Sequence, residues 1–365
     1  MGHIQIIEDR NAWGKIIEQF DEADFYHSYD YHLISRSEDE KPVLISYQEG
    51  DKVIALPLLI RDIEGTSLKD ATSVYGYCGP IGKNIPQDFD NETFKKEINT
   101  FLKDNDIVSV FSRLHPFIPS QNSILKGIGD IVPHGHVVNI DLKKSLEAQK
   151  QQYNRRLRTY INKEVKEYDI ISGSSNECVD IFINAYCQNM KRVNAKPHYF
   201  FKREYFYELL ASPQINAELL MARHKQTGDL AGGAVFTKKN GFVQYHLSGV
   251  KEEYLELNPI KLIIDHIRIK SSNEGFSYLN LGGGLGGHDY DSLFYFKSGF
   301  SKEYRRFFSW QYIVNKKKYL KLVRQQKELH PRQPCYYTPY FPQYRCDLNK
   351  SNTGESENNC WENDK

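Results

Sequence analysis

An α+β protein made of two similar units, each a mixed sheet flanked by helices, is what this sequence predicts. Three observations lead there. The chain has 365 residues, more than one small core organises and enough for two domains of ordinary size. Each half contains a strand, a turn with a Gly-Asp pair and a second strand: Gln48-Glu49-Gly50-Asp51 in one, Thr227-Gly228-Asp229 in the other. In the second half a helical pattern then runs into another strand, giving a β-α-β unit.

The first half opens with a helical stretch at 11–20, followed by strands at 43–47 and 52–60, whose short Gly-containing turn marks a hairpin. A Gly/Pro loop with two tyrosines occupies 74–80. A helix at 91–103 and strands at 107–113 and 136–141 complete that half. A connecting helix at 143–166 carries apolar residues at Leu146, Tyr153, Leu157, Ile161 and Val165, the spacing of one buried face.

Strands at 218–224 and 230–237 follow, then Asn240-Gly241, a strong hairpin signal, and a strand at 242–249. Strict alternation places Phe242, Gln244, His246 and Ser248 on one face of that strand, and Val243, Tyr245 and Leu247 on the other. Asn258-Pro259 opens the next helix, Asn as cap and Pro at the first helical position, and Gly275 closes it. Strands at 276–281 and 306–314 and a basic helix at 316–328 follow. The expected division is a first unit at 1–142, a second at 143–330 carrying the active site, and an extended arm with a disordered acidic end at 331–365.

Composition narrows the function. The 48 basic and 47 acidic residues nearly cancel, which argues against a nucleic-acid coat or a polybasic membrane binder. The six cysteines are scattered without a CxxC pair and read as reduced thiols. No HxxxH or HExxH pattern suggests a metal, and no G-x-S-x-G elbow suggests a serine hydrolase. The first residues lack a signal-peptide pattern, and no apolar run nears the roughly 20 residues that span a bilayer. A cytoplasmic protein is expected.

The densest chemistry lies at 282–300, GGGLGGHDYDSLFYFKSGF. Gly282, Gly284 and Gly287 satisfy G-x-G-x-x-G, but too little chain follows for the βαβαβ array a dinucleotide fold needs. A turn that brings backbone close to a substrate fits better. Beyond it stands Lys297 among Phe294, Tyr295, Phe296 and Phe300, a partly dry surround in which a fixed cation suits a developing oxyanion. His246, His288 and Asp291 are candidate proton acceptors. The start of the helix at Asn258 offers free N–H groups to an anion. Arg155 and Arg158 share a helix face away from the apolar one and suit a phosphate, or stand on a solvated face. The basic, aromatic loop from Asn189 through Arg192 to Phe200 suits a cleft wall. Tyr75, Tyr77, Ser248, Gly283, Gly284 and Tyr295 complete the candidate substrate contacts.

These pieces occur in a known order. VYGYCGPIG (74–82), NRRLRTYINKEVKE (154–167), YCQNMKRVNAKPHYF (186–200), LNPIKLIIDHIRIKSSNEGFSYLNLGG (257–283) and FYFKSGF (294–300) resemble the FemAB/FemX-like branch of the GNAT acyltransferase superfamily, including BioF2-like and CelD-like proteins, over roughly residues 1–320. The resemblance implies tandem GNAT-like units and transfer of an activated acyl or aminoacyl group to an amine of a small or cell-envelope precursor. It also implies that Lys297, the lysine of FKxGF, stabilises charge at the transferring carbonyl. The Q/R-x-x-G-x-G/A loop that it places before the Asn258 helix is absent; residues 250–257 read VKEEYLEL. The donor therefore stays open between acyl-CoA and aminoacyl-tRNA, with no metal implied. Two other readings are an inactive GNAT-like module that binds a nucleotide-sugar or peptidoglycan fragment, and a nucleic-acid binder using the basic 143–166 face.

Overall fold

In the computed structural model, residues 2–329 and 340–346 are described. Its described residues form two compact units, one holding 2–134, 307–329 and 340–346, the other Gly135–Arg306. The sequence division at 142/143 and 330/331 differs from this, because the last strand and helix pack with the first unit rather than with their sequence neighbours.

The elements of the first unit begin with β1 (His3–Ile7), α1 (Arg10–Ile17) and α2 (Tyr29–Ser35). The hairpin β2 (Glu40–Glu49) and β3 (Lys52–Asp62) follows, with Glu49 opposite Lys52 and Gly50 at φ +61° in the turn. Then come β4 (Lys69–Thr72), β5 (Ile81–Lys83), α3 (Glu92–Asp104), β6 (Ile107–Arg113) and α4 (Ser120–Ile124). β1, β2, β3 and β4 pair antiparallel in that order, β4 pairs parallel with β6, and β5 adds to the other end of β3. The short strands β1, β4 and β5 are additions to the sequence reading. At three to five residues they carry too little pattern to stand out from loop.

β7 (Asp130–Asp141) leads into the second unit. The predicted helix at 143–166 is two helices, α5 (Leu146–Gln151) and α6 (Arg155–Glu167). Asn154 breaks the run: its extended backbone and its side chain, accepting from Leu157 N at 2.7 Å, form a cap for α6. The buried stripe of α6 is Leu157, Ile161 and Glu164, whereas Val165, placed there from the sequence, is 51% exposed. β8 (Tyr168–Ser172), α7 (Asn176–Arg192), α8 (Arg203–Ala211), β9 (Ala217–His224), β10 (Leu230–Lys239) and β11 (Phe242–Val250) come next. α9 (Ile260–Asn273), β12 (Tyr278–Gly282) and α10 (Ser292–Ser298) complete the unit. β13 (Glu303–Ile313) leads back into the first unit, where it pairs antiparallel with β6 and is followed by α11 (Lys316–Leu329).

The strand order of the second unit is β7-β12-β11-β10-β9-β8, with β11 and β12 parallel and the other pairs antiparallel. Its core gathers Ile140, Leu157, Phe236, Val243, Ile263, Leu279 and Phe300 between the sheet and helices α6 and α9. The first unit has its own core around Tyr47, Leu56, Phe94, Ile98, Val110 and Trp310.

Part of the arm predicted from residue 331 is also visible. Residues 340–346 pack on the first unit: Tyr344 is buried, its hydroxyl meets Ser109 at 2.7 Å, and Arg345 bonds Asp70 at 2.5 Å. The rest of that arm and the acidic end, 331–339 and 347–365, lies outside the described residues.

Candidate functional site

A fork between two parallel strands organises the second unit. β11 is nine residues long, yet only Phe242–Gln244 pair with β12, opposite Tyr278–Asn280. The remainder of β11, from Tyr245 on, runs without β12 beside it. A bulge sharpens the divergence: Val235 faces Leu247 and Phe236 faces Tyr245, so His246 is an extra residue. The alternation expected from sequence therefore fails here. Tyr245 and Ser248, assigned to opposite faces, share a hydrogen bond between their hydroxyls.

The base of the fork is locked by amides. Asn280 donates from Nδ2 to Gln244 Oε1 at 2.8 Å, and its Oδ1 accepts from Gly282 N at 3.0 Å. Both side chains are 2% exposed. Asn280 thus ties the last paired residue of β11 to the first residue of the glycine turn. Neither residue was singled out from the sequence. The available signal was a polar residue inside each of two apolar strands.

Beyond the fork the glycine turn bends sharply, with Gly282, Gly286 and Gly287 at φ +76°, +62° and +80°. Gly284 leaves no room for a side chain, since a Cβ there would collide with the Asp291 carboxylate. Asp291 caps α10 through Leu293 N (2.8 Å) and Phe294 N (2.9 Å) and holds the turn through Leu285 N (2.7 Å). Its oxygens are engaged by three backbone donors, so the structure makes it a cap rather than a free proton acceptor. On the far side the turn is fastened to β7. Asp289 accepts from His136 N at 2.7 Å and meets His136 Nδ1 at 2.5 Å, and Gly135 leaves room for the Gly287 carbonyl.

Lys297 lies on the buried side of α10 at 7% exposure. A helical side chain leans back toward its N-terminus, and here Nζ reaches the Gly283 carbonyl at 2.7 Å. Burial pushes its pKa down to about 8, with Asp291 pulling the other way. The ammonium is held at the turn by one carbonyl contact in a poorly solvated place.

His246 is half-buried, with Nε2 at 2.8 Å from the Tyr205 hydroxyl, and Tyr205 stacks on Phe201. α7 presses on the end of this strand: a Cβ at Gly249 would collide with the Tyr186 amide. His288 is exposed and stacks on Tyr290. Tyr295 is 69% exposed, away from the side on which Lys297 is buried. Arg155 and Arg158 occupy exposed positions of α6, and Arg192 is exposed at the end of α7, donating to Asn189 at 2.6 Å.

The helix start offered to an anion is partly occupied. α9 begins at Ile260, after Pro259, and Asn258 Oδ1 accepts from Ile260 N at 3.0 Å. Glu164 Oε2 accepts from Leu262 N at 3.1 Å. Asn258 is thus satisfied by its own helix.

Tyr75 and Tyr77 belong to the first unit. Tyr75 is exposed beneath the Arg113 guanidinium, 5.3 Å from its ring, and Tyr77 packs edge-on against Tyr26 and Phe307. That unit also has an open depression of about 620 Å³ bordered by Glu22, Asp51, Lys52, Asn84 and Ser120, with no buried cation or histidine in its lining. Among the described residues no group of three or more His, Cys, Asp and Glu is placed to hold a metal, and no helix is long and apolar enough to cross a membrane.

No protein-family model matches the chain, and no curated protein does. Solved structures do match. FemX superposes with a TM-score of 0.66 at 11% identity, over 87% of this chain and 99% of its own. A conserved protein of unknown function from Bacteroides thetaiotaomicron gives 0.55 at 11% identity, over 85% and 99%. The C-terminal domain (DUF2156) of an Agrobacterium fabrum protein named as a lysylphosphatidylglycerol synthetase gives 0.54 at 13% identity, over 87% and 97%. With 87% of this chain and 99% of FemX superposed, the chain has the fold of FemX, here built as two compact α+β units.

Proposed function

We propose that this protein transfers an activated acyl or aminoacyl group to an amine, at the fork of β11 and β12. The observation that carries the reading is Lys297: a buried ammonium fixed on a glycine-turn carbonyl, where two parallel strands part. The substrate amine attacks the carbonyl carbon of the donor's ester or thioester. As the new C–N bond forms, the carbonyl electrons move onto oxygen, and the Lys297 ammonium stabilises that oxyanion. Collapse breaks the bond to the leaving oxygen or sulfur, which departs as an alcohol or thiol by taking up the proton that the amine gives to His246. His246, held by Tyr205, accepts the proton lost by the amine. Asn280 and Gln244 keep the fork and the turn in register.

Fixing the cation beforehand matters because a preorganised donor in a dry site needs no reorganisation as charge develops. The exposed cations Arg155, Arg158 and Arg192 suit an anionic acceptor or donor, such as a phosphorylated cell-envelope precursor.

The test is direct. Purified protein is incubated with an aminoacylated RNA or an acyl thioester and a panel of amines, and products are read by mass spectrometry. Wild type is expected to give an amide product that Lys297→Met forms about 100-fold more slowly. A folded Lys297→Met variant with unchanged turnover removes Lys297 from the mechanism, and no amide with any pairing overturns the assignment.

A further inference from the structure

We propose that Glu164 is a specificity-determining residue that keeps donors anchored by a diphosphate away from the start of α9. The proposal rests on the acyl-transfer reading above and narrows its donor. A helix start binds a diphosphate when its first N–H groups are free and its surroundings are neutral or positive. Here two of the first three amides are taken, and one of them is held by a buried carboxylate.

Glu164 is fully buried, at the third position of the apolar stripe of α6, and its Oε2 takes the Leu262 amide. Asn258 takes the Ile260 amide, and Ile263 N bonds Pro259 O within the chain. Of the first three amides of α9, those of Ile260 and Leu262 are thus taken by side chains. The second carboxylate oxygen, Oε1, is buried without a hydrogen-bond partner. The Lys261 ammonium stands 3.7 Å from it and lies over the Tyr160 ring at 4.2 Å, so that cation is engaged as well. The segment leading into the helix adds Glu252, Glu253 and Glu256 against Lys251.

A buried carboxylate with one unmet oxygen is a poor device for stability alone, since a neutral side chain of similar volume fits the same place without the desolvation penalty. Its placement does explain exclusion. Burial raises the Glu164 pKa to about 7, so above that pH a diphosphate would meet a like charge where it needs amides, and at any pH an amide already taken, with more acids along its approach. A nucleotide thioester such as acyl-CoA therefore does not seat at this helix. An activated ester whose carrier is held elsewhere meets no such opposition.

The experiment is calorimetric titration of wild type, Glu164→Gln and Glu164→Ala with inorganic pyrophosphate and with CoA. Wild type is expected to show no saturable binding of either up to about 1 mM. Glu164→Ala, which frees the amide and removes the charge, should bind pyrophosphate saturably, at least about tenfold more tightly than that ~1 mM limit, with Glu164→Gln binding measurably but more weakly. Wild-type binding of CoA that pyrophosphate competes away overturns the proposal. So does a folded Glu164→Gln indistinguishable from wild type, which decides the matter even where Glu164→Ala fails to fold. Because binding is read without turnover, absence of transferase activity would defeat the proposed function and still leave this outcome legible.

Discussion

Each unit contains a glycine-rich loop flanked by aromatic residues, and the two use their polar groups in opposite ways. In the first unit, the loop around Cys78 is closed off. Gln121 Nε2 donates to the Cys78 and Pro80 carbonyls at 2.8 and 2.9 Å, Gly79 N donates to Ser112, and the Cys78 thiol donates to the Tyr26 carbonyl. Beneath it, Asp24 meets His115 Nε2 at 3.0 Å, and His27 bridges toward Cys78 O, all fully buried. Burial, helped by His115, holds His27 down to about 3, and burial, helped by Asp24, raises the Cys78 thiol far above its ordinary range. In the second unit, the glycine turn is held by Asp291 and Asp289 from its flanks, and the Lys297 cation remains at its centre with one carbonyl contact. Glycine density is common to both loops. What distinguishes a structural loop from a candidate site is whether a charge is left to act on something else.

That contrast breaks first on stability. Asp24→Ala strips the partner from a fully buried histidine and should lower unfolding free energy by about 3 kcal/mol, measured by denaturant titration. Lys297→Met should leave the melting temperature unchanged or higher, because it removes a buried charge. Comparable losses from both would erase the distinction between the two loops.

Turnover gives the next largest effect, and it depends on pH. The Lys297 pKa lies near 8 in the fold and about 10.4 in an unfolded chain. The working cation is lost as pH rises through about 8, so turnover should fall about tenfold per unit above that value. Stability moves the other way: between about 8 and 10.4 the unfolded chain binds more protons, so this residue favours the fold increasingly as pH rises. A rate that stays level to pH 10 would show that the charge on Lys297 is not used.

Acid acts on the other unit. His27 and His32 are buried, with pKa values held down to about 3 and about 4. Below the unfolded value of about 6.5 the unfolded chain takes up protons that the fold refuses, so stability should drop by roughly 2 kcal/mol or more by pH 5. Denaturant midpoints at pH 7 and pH 5 check this, and equal midpoints would contradict the burial argument.

The fork supplies a finer comparison. Asn280→Ala removes both hydrogen bonds that link Gln244 to the glycine turn and should lower turnover about tenfold with little change in KM. Asn280→Asp keeps an acceptor for Gly282 N and should recover part of the loss. Equal rates for Asn280→Ala and wild type would show the turn to be held by Asp291 and Asp289 alone. The smallest effect is expected at Arg155 and Arg158: at exposed positions, replacement by Ala should shift stability by less than about 0.5 kcal/mol and act, if at all, on KM for an anionic substrate.

Elements governed by neighbours in the chain were legible beforehand. The Gly50-Asp51 turn, the Asn240-Gly241 hairpin, the end of α9 at Gly275 and the glycine turn before α10 all follow from local backbone preferences. The lysine of FKxGF stood out because its aromatic neighbours are adjacent in sequence. Asn154 hid a helix break, since the residues around it keep a helical period while one capping bond ends the run. Val165 was misplaced for a related reason: it looked like the apolar choice, but α6 packs with the Glu164 carboxylate inward and Val165 exposed.

By itself the sequence determined the two-unit α+β plan, the glycine turn and the candidate lysine, because turns, caps and apolar periods are set within a few residues. Tertiary structure alone decided which polar groups were already taken. Asp291 became a cap, Asn258 and Glu164 took amides at the start of α9, and Asn280 joined Gln244 from 36 residues away. Hydrogen bonds and burial are properties of groups brought together by packing, and no spacing along the chain records them.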